Sequence, residues 1–103
     1  MKHFLIKYRF TTGSEGAWRQ RIAKFIAAIE ADPVLKDRIS YRCTKANVSA
    51  DYYHLAATAD DEAAKALQER DFFRDYSAEM RRLSGGSLEV MPLEILAETD
   101  FRQ

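Results

Sequence analysis

Residues 38–58 read RISYRCTKANVSADYYHLAAT. The stretch holds two alternating runs around a polar turn. In the first, Ile39, Tyr41 and Cys43 share one parity, and Ser40, Arg42 and Thr44 share the other. In the second, Tyr52, His54, Ala56 and Thr58 alternate with Tyr53, Leu55 and Ala57. Period two with aromatic side chains reads as strand. The ANVSAD segment supplies turn residues, so the pair predicts an antiparallel hairpin. What flanks this hairpin decides the fold.

Upstream, KHFLIKYRF alternates again: Phe4, Ile6, Tyr8 and Phe10 oppose His3, Leu5, Lys7 and Arg9. This predicts a first strand over residues 2–11. Ser14 is placed to cap a helix, with Glu15 in its first turn. Trp18, Ile22, Phe25, Ile26 and Ile29 then fall at i, i+4, i+7, i+8 and i+11, one stripe of a helix. Pro33 stops it.

Downstream, Asp60 or Asp61 can cap a second helical region. Its phase is broken. Ala63 and Leu67 point one way, whereas Phe72, Phe73, Tyr76, Met80 and Leu83 form a separate arc, so a kink or break is expected near Arg70–Asp71, with Asp71 recapping. SGGS supplies glycines for a left-handed helix end. LEVMPLEILAE, residues 88–98, predicts a last strand, apolar on both parities, with Pro92 marking an edge or a bulge.

The order is strand, helix, strand, strand, helix, strand. That predicts an α+β fold: a ferredoxin-like βαββαβ domain over residues 1–103, with helices on one face of a four-stranded antiparallel sheet. The two-sided last strand needs cover on the other face as well. A chain of 103 residues has no third layer to spare. A second copy could supply it through a self-complementary contact, so a homodimer is expected, sheet against sheet.

Composition narrows the function. Lys plus Arg equals Asp plus Glu at 16 each. No basic excess argues for nucleic acid, and no basic amphipathic stretch argues for a membrane surface. The single cysteine, Cys43, forbids an intrachain disulfide and suits a cytoplasmic location. The charged N-terminus is unlike a signal peptide or a spanning helix. No His/Asp/Glu cluster has metal spacing, and no glycine-rich phosphate loop is present.

Residues 60–96, DDEAAKALQERDFFRDYSAEMRRLSGGSLEVMPLEIL, carry a resemblance. An acidic helix start, a break before an aromatic pair, a helix ending near glycine and the closing LEVMPLEIL resemble the antibiotic biosynthesis monooxygenase-like family, of the dimeric α+β barrel superfamily. The resemblance implies a homodimer with one apolar pocket per protomer. It also implies cofactor-independent oxygenation of a small aromatic, phenolic or quinol-like ligand. Where that family often has a Trp after the third strand, this chain has Ala59. Where it often has a His in the following helix, Leu67 stands nearby. The haem-degrading members use an Asn on the first strand, and residues 2–11 contain none, which argues against haem degradation.

An oxygenase without metal or flavin needs an electron-rich substrate anion, a base, and donors that stabilise the anion. Of the two histidines, His3 lies at the chain start and reads as structural. His54 is the candidate catalytic base or orienter, with Tyr41 as its catalytic partner; its alternative is a sheet histidine satisfied by a neighbour. Tyr8, Tyr41, Tyr53 and Tyr76 are the phenols to test for ligand contact, and Tyr8, Tyr41 and Tyr76 are expected in one layer. Arg42 could hold an acidic substrate. Alternatively Arg42 and Arg9 pair with Glu89 or Glu94 at the interface. Cys43 reads as a buried, inert thiol. An isomerase or lactone-processing enzyme on the same fold, and a ligand-binding dimer without catalysis, remain alternatives.

Overall fold

The computed structural model describes residues 1–100; the last three residues of the expected 1–103 domain lie outside the described residues. The element order is β1 (Lys2–Arg9), α1 (Glu15–Ala31), β2 (Ile39–Lys45), β3 (Asp51–Thr58), α2 (Asp61–Gln68), α3 (Asp71–Ser84) and β4 (Glu89–Leu93). The strands form one antiparallel sheet in the order β2-β3-β1-β4. This is the ferredoxin-like α+β arrangement that the hairpin and its flanks predict.

Local chemistry sets the boundaries. Ser14 accepts a hydrogen bond from the Ala17 N–H and caps α1. Asp60 does the same for α2 through the Ala63 N–H. The phase break is real: α2 ends at Gln68 and α3 starts at Asp71. Its capping differs from the expectation. Arg70 is the N-cap and makes no side-chain cap bond, while Asp71 lies inside the first turn. The Arg70 side chain instead reaches Asp32 at the end of α1, with Nε to Oδ2 at 2.7 Å. At the far end, Gly85 adopts φ 57°, where an added Cβ would sit 2.7 Å from Thr11 Oγ1. Thr11 holds the same helix end, because its N–H and its hydroxyl both donate to the Leu83 carbonyl.

Two strands are shorter than the sequence predicts. β1 ends at Arg9 because the Phe10 N–H turns to the Ala50 carbonyl and Thr11 turns to α3. β4 covers residues 89–93 rather than 88–98. Its ladder on β1 runs only to His3↔Leu93, and β1 begins one residue earlier. Beyond Leu93 no ladder pairing is present among the described residues, and a strand does not extend without one. Pro92 does mark an edge strand, as predicted.

The core lies between the sheet and the helices. Tyr8, Trp18, Ile22, Phe25, Ile29, Tyr52, Tyr76 and Met80 all belong to it. The opposite face is open. Met91, Leu5 and Leu55 line up across β4, β1 and β3, and Leu55, Met91 and Leu93 are 42%, 37% and 44% exposed. Among the described residues, no helix is long and apolar enough to cross a membrane.

Candidate functional site

Strand register builds the site around His54. Ile6 and Cys43 are its cross-strand partners on β1 and β2. Tyr8 pairs with Tyr52, and Tyr41 pairs with Ala56. Tyr8 and Tyr41 are therefore diagonal neighbours of His54, on opposite sides and toward opposite ends of β3. Diagonal neighbours on one face are within reach of long side chains. The Tyr8 hydroxyl lies 2.9 Å from His54 Nε2, and the Tyr41 hydroxyl lies 2.7 Å from Nδ1.

The helices complete the network. Trp18 of α1 donates its indole N–H to the Tyr8 hydroxyl at 2.7 Å. Tyr76 of α3 brings its hydroxyl 3.0 Å from that of Tyr41 and 3.5 Å from His54 Nδ1. Its ring is held between two rings of α1: it stacks on Phe25 at 3.9 Å and on Trp18 at 5.2 Å between centroids. Trp18 and Phe25 are seven residues apart, so they share one helix face.

His54 is completely buried. Burial disfavours its charged form and lowers its pKa to about 4. Burial likewise raises the pKa of Tyr8, Tyr41 and Tyr76 above the usual phenol range. The Cys43 thiol, beside Tyr76, is pushed up to about 12, chiefly by burial. All five groups are therefore neutral near pH 7. The network holds hydrogen-bond donors in fixed positions rather than charges.

A cavity of about 250 Å³ adjoins this network, between the sheet and helices α1, α2 and α3. Phe4, Ile6, Ile39 and Ala56 form its sheet side, and Leu67, Phe73 and Met80 line it from α2 and α3. Tyr41 and Tyr76 are in its wall, so the network reaches the cavity through these two residues. Thr58 is also in the wall, two residues beyond Ala56 on β3. Its hydroxyl oxygen is buried with no hydrogen-bond partner among the described residues. Buried hydroxyls normally have partners, so this one marks a place where a ligand oxygen would be welcome.

Of the six residues singled out from the sequence, four meet: His54, Tyr41, Tyr8 and Tyr76. The other two do not. Strand alternation turns Tyr53 and Arg42 to the open face, away from the cavity. Arg9, also on that face, pairs with its cross-strand partner Asp51 at 3.1 Å rather than with Glu89 or Glu94. Sequence reasoning placed Trp18 in the core but missed its N–H in the network, and it missed Thr58. A buried Trp needs an acceptor, and that was the available signal for Trp18.

No protein-family model matches the chain, and none of the curated proteins matches it. Solved structures do. A candidate antibiotic biosynthesis monooxygenase from Caulobacter crescentus has TM-score 0.77 and 15% identity, over 93% of this chain and 90% of that one. SnoaB, a cofactor-independent oxygenase from Streptomyces nogalater, has TM-score 0.72 and 14% identity, over 99% and 97%. A dimeric ferredoxin-like protein of unknown function from Jannaschia has TM-score 0.63 and 14% identity, over 92% and 100%. At such identities the likeness is one of fold, and the chain has the fold of the antibiotic biosynthesis monooxygenase-like proteins.

Proposed function

We propose that this protein binds a small phenolic or quinol-like compound in the cavity beside Tyr41 and Tyr76 and oxygenates it without a cofactor. The observation that carries this reading is the cavity itself. Its walls are largely apolar, and Tyr41, Tyr76 and Thr58 bring hydroxyls to it, beside Gln68, Ser77 and Arg81. Such a cavity suits a flat ring that carries oxygen. The Tyr41–Tyr76 pair would touch the ligand and stabilise its anion by donating one phenol proton toward it. His54 would act through Tyr41, because both its ring nitrogens face tyrosine hydroxyls. The substrate would lose two hydrogens, one from the reacting ring carbon and one from its phenol hydroxyl, and gain one oxygen atom at that carbon, while the second oxygen atom leaves with both hydrogens as water. All four electrons come from the substrate. The SnoaB likeness supports this reading at the level of fold.

The working unit in this reading is a homodimer. The exposed row Met91–Leu5–Leu55 needs cover, and the Jannaschia neighbour is dimeric. Tyr53 and Arg42 would then lie near the interface.

Oxygen consumption with a panel of quinols and polycyclic phenols tests the reading. Uptake is expected with the wild type and should fall at least about tenfold in Tyr41→Phe. No uptake with any member would overturn oxygenation. One observation favours a second reading, ligand binding without catalysis: His54, with its pKa near 4, is a weak base and has no face on the cavity. Thermal stabilisation by a ligand without turnover would select it.

A further inference from the structure

The network beside the cavity has a sense. Trp18 Nε1 can only donate. Its proton occupies a lone pair of the Tyr8 oxygen at 2.7 Å. The Tyr8 O–H then needs an acceptor, and His54 Nε2 lies 2.9 Å away. If Nε2 accepts, the neutral ring carries its proton on Nδ1. The opposite tautomer would give Tyr8 two donors and strand its own O–H in the closed core, whereas the first arrangement moves the surplus proton to the cavity wall, where a ligand or water can accept it.

The sense propagates. Nδ1–H donates to the Tyr41 oxygen at 2.7 Å. Tyr41 and Tyr76 share one hydrogen bond at 3.0 Å, and each has one proton. One proton fills the bond between them. The other is left over, whichever way that bond points. The Cys43 thiol also stands beside Tyr76, but sulfur is a weak acceptor. Both tyrosines are in the cavity wall.

We propose that Trp18 polarises a one-way hydrogen-bond chain through Tyr8 and His54 to the Tyr41–Tyr76 pair, and that the leftover phenol proton selects a ligand whose oxygen accepts a hydrogen bond. A ring ketone or a phenolate qualifies. A bare hydrocarbon of the same shape does not. This selection rests on the cavity being a ligand site, as proposed above. Trp18, Tyr8 and His54 are positioning residues, because they touch one another and the tyrosine pair rather than the ligand.

Two measurements on the whole protein test it. Long-range proton–nitrogen NMR correlations report which ring nitrogen of His54 carries the proton. At pH 7.5 the expected result is Nδ1–H, with Nε2 bare; an Nε2–H or doubly protonated ring overturns the chain. Tetralin and 1-tetralone form the ligand pair, with the same skeleton and one added carbonyl. Tetralin, the more hydrophobic, should bind tighter by burial alone. The chain predicts the reverse order, with 1-tetralone favoured by about tenfold. A double variant, Tyr41→Phe with Tyr76→Phe, should restore the hydrophobic order. Equal or tighter binding of tetralin to the wild type overturns the selection while leaving a ligand site in place. Binding of neither compound overturns the ligand site and the selection together, and the NMR result still decides the sense of the chain.

Discussion

Tyr8 and His54 meet inside the core with no water-facing atom between them: the phenol oxygen is 2.9 Å from Nε2, and both residues are essentially unexposed. The contact has a consequence for stability. Tyr8→Phe keeps the ring and removes only the hydroxyl, yet it leaves both the Trp18 N–H and His54 Nε2 without a partner. An orphaned buried group costs about 1–3 kcal/mol. Tyr52→Phe is the control, because Tyr52 stacks on Tyr8 at 5.1 Å but sends its hydroxyl outward to Glu15. Its loss should cost about 1 kcal/mol or less. Urea unfolding of the two variants, with unchanged m-values, should show the Tyr8 variant clearly the weaker.

The same burial makes stability depend on pH in a defined window. His54 has a folded pKa of about 4, below its ordinary 6.5, because burial disfavours the charged ring. The groups facing it, Tyr8, Tyr41 and Tyr76, are neutral phenols, and none can compensate a charge. Above pH 6.5 folded and unfolded states are both neutral at this residue, so its contribution is fully present. Between 6.5 and 4 the unfolded state takes up a proton that the folded state refuses, and stability falls, by roughly 3 kcal/mol at most. Asp32, Asp51 and Asp60 also have lowered pKa values, set mainly by Arg70, Arg9 and the Ala63 N–H, but these titrate at still lower pH. Denaturation midpoints from pH 8 to 4 should slope in the wild type and be nearly flat in His54→Gln. A flat wild-type profile would show that His54 is not held neutral.

Much of this arrangement was legible in the sequence, for one reason. Aromatic side chains alternate cleanly on β1 and β2, so parity alone put Tyr8 and Tyr41 on the helix-facing side. Helical phase put Tyr76 on the same layer and located the break before Asp71. The partners of His54 were not legible. Tyr8 lies 46 residues away and Tyr41 lies 13, and only strand register decides which phenol sits diagonal to which strand position. Tyr53 shows the limit of reading residue type. It neighbours Tyr52 in sequence, but one residue along a strand reverses the face. The length of β4 was hidden too, because apolar residues continue after Leu93 while the partner strand does not.

Thr58 gives a prediction whose sign is informative. Its hydroxyl is buried in the cavity wall and has no hydrogen-bond partner among the described residues. Thr58→Val has nearly the same shape and removes an unsatisfied polar group, so the ligand-free protein should gain about 1 kcal/mol. Ligands with a second oxygen far from the tyrosine pair should bind the variant several-fold more weakly, whereas 1-tetralone, with one oxygen, should be unaffected. A destabilised Thr58→Val protein would mean that the hydroxyl has a partner after all.

The open face of the sheet carries the last prediction. Met91, Leu5 and Leu55 form a continuous apolar row across three strands, and Leu93 extends it. Exposed apolar rows of this kind are poorly tolerated in water and are covered when a self-complementary copy is available. The chain's zero formal charge opposes such pairing little. Leu55 is the most informative position, since its strand is interior to the sheet and its side chain stands 42% exposed. The wild type should scatter light as a dimer at micromolar concentration. Leu55→Asp would place a charge in the apolar row and should raise the dimer dissociation constant by roughly 30-fold or more. The Tyr8–His54 network lies on the other face, so circular dichroism and the His54 tautomer should be unchanged in that variant. A wild type that scatters as a compact monomer would remove the homodimer and leave this row to be explained by a different partner.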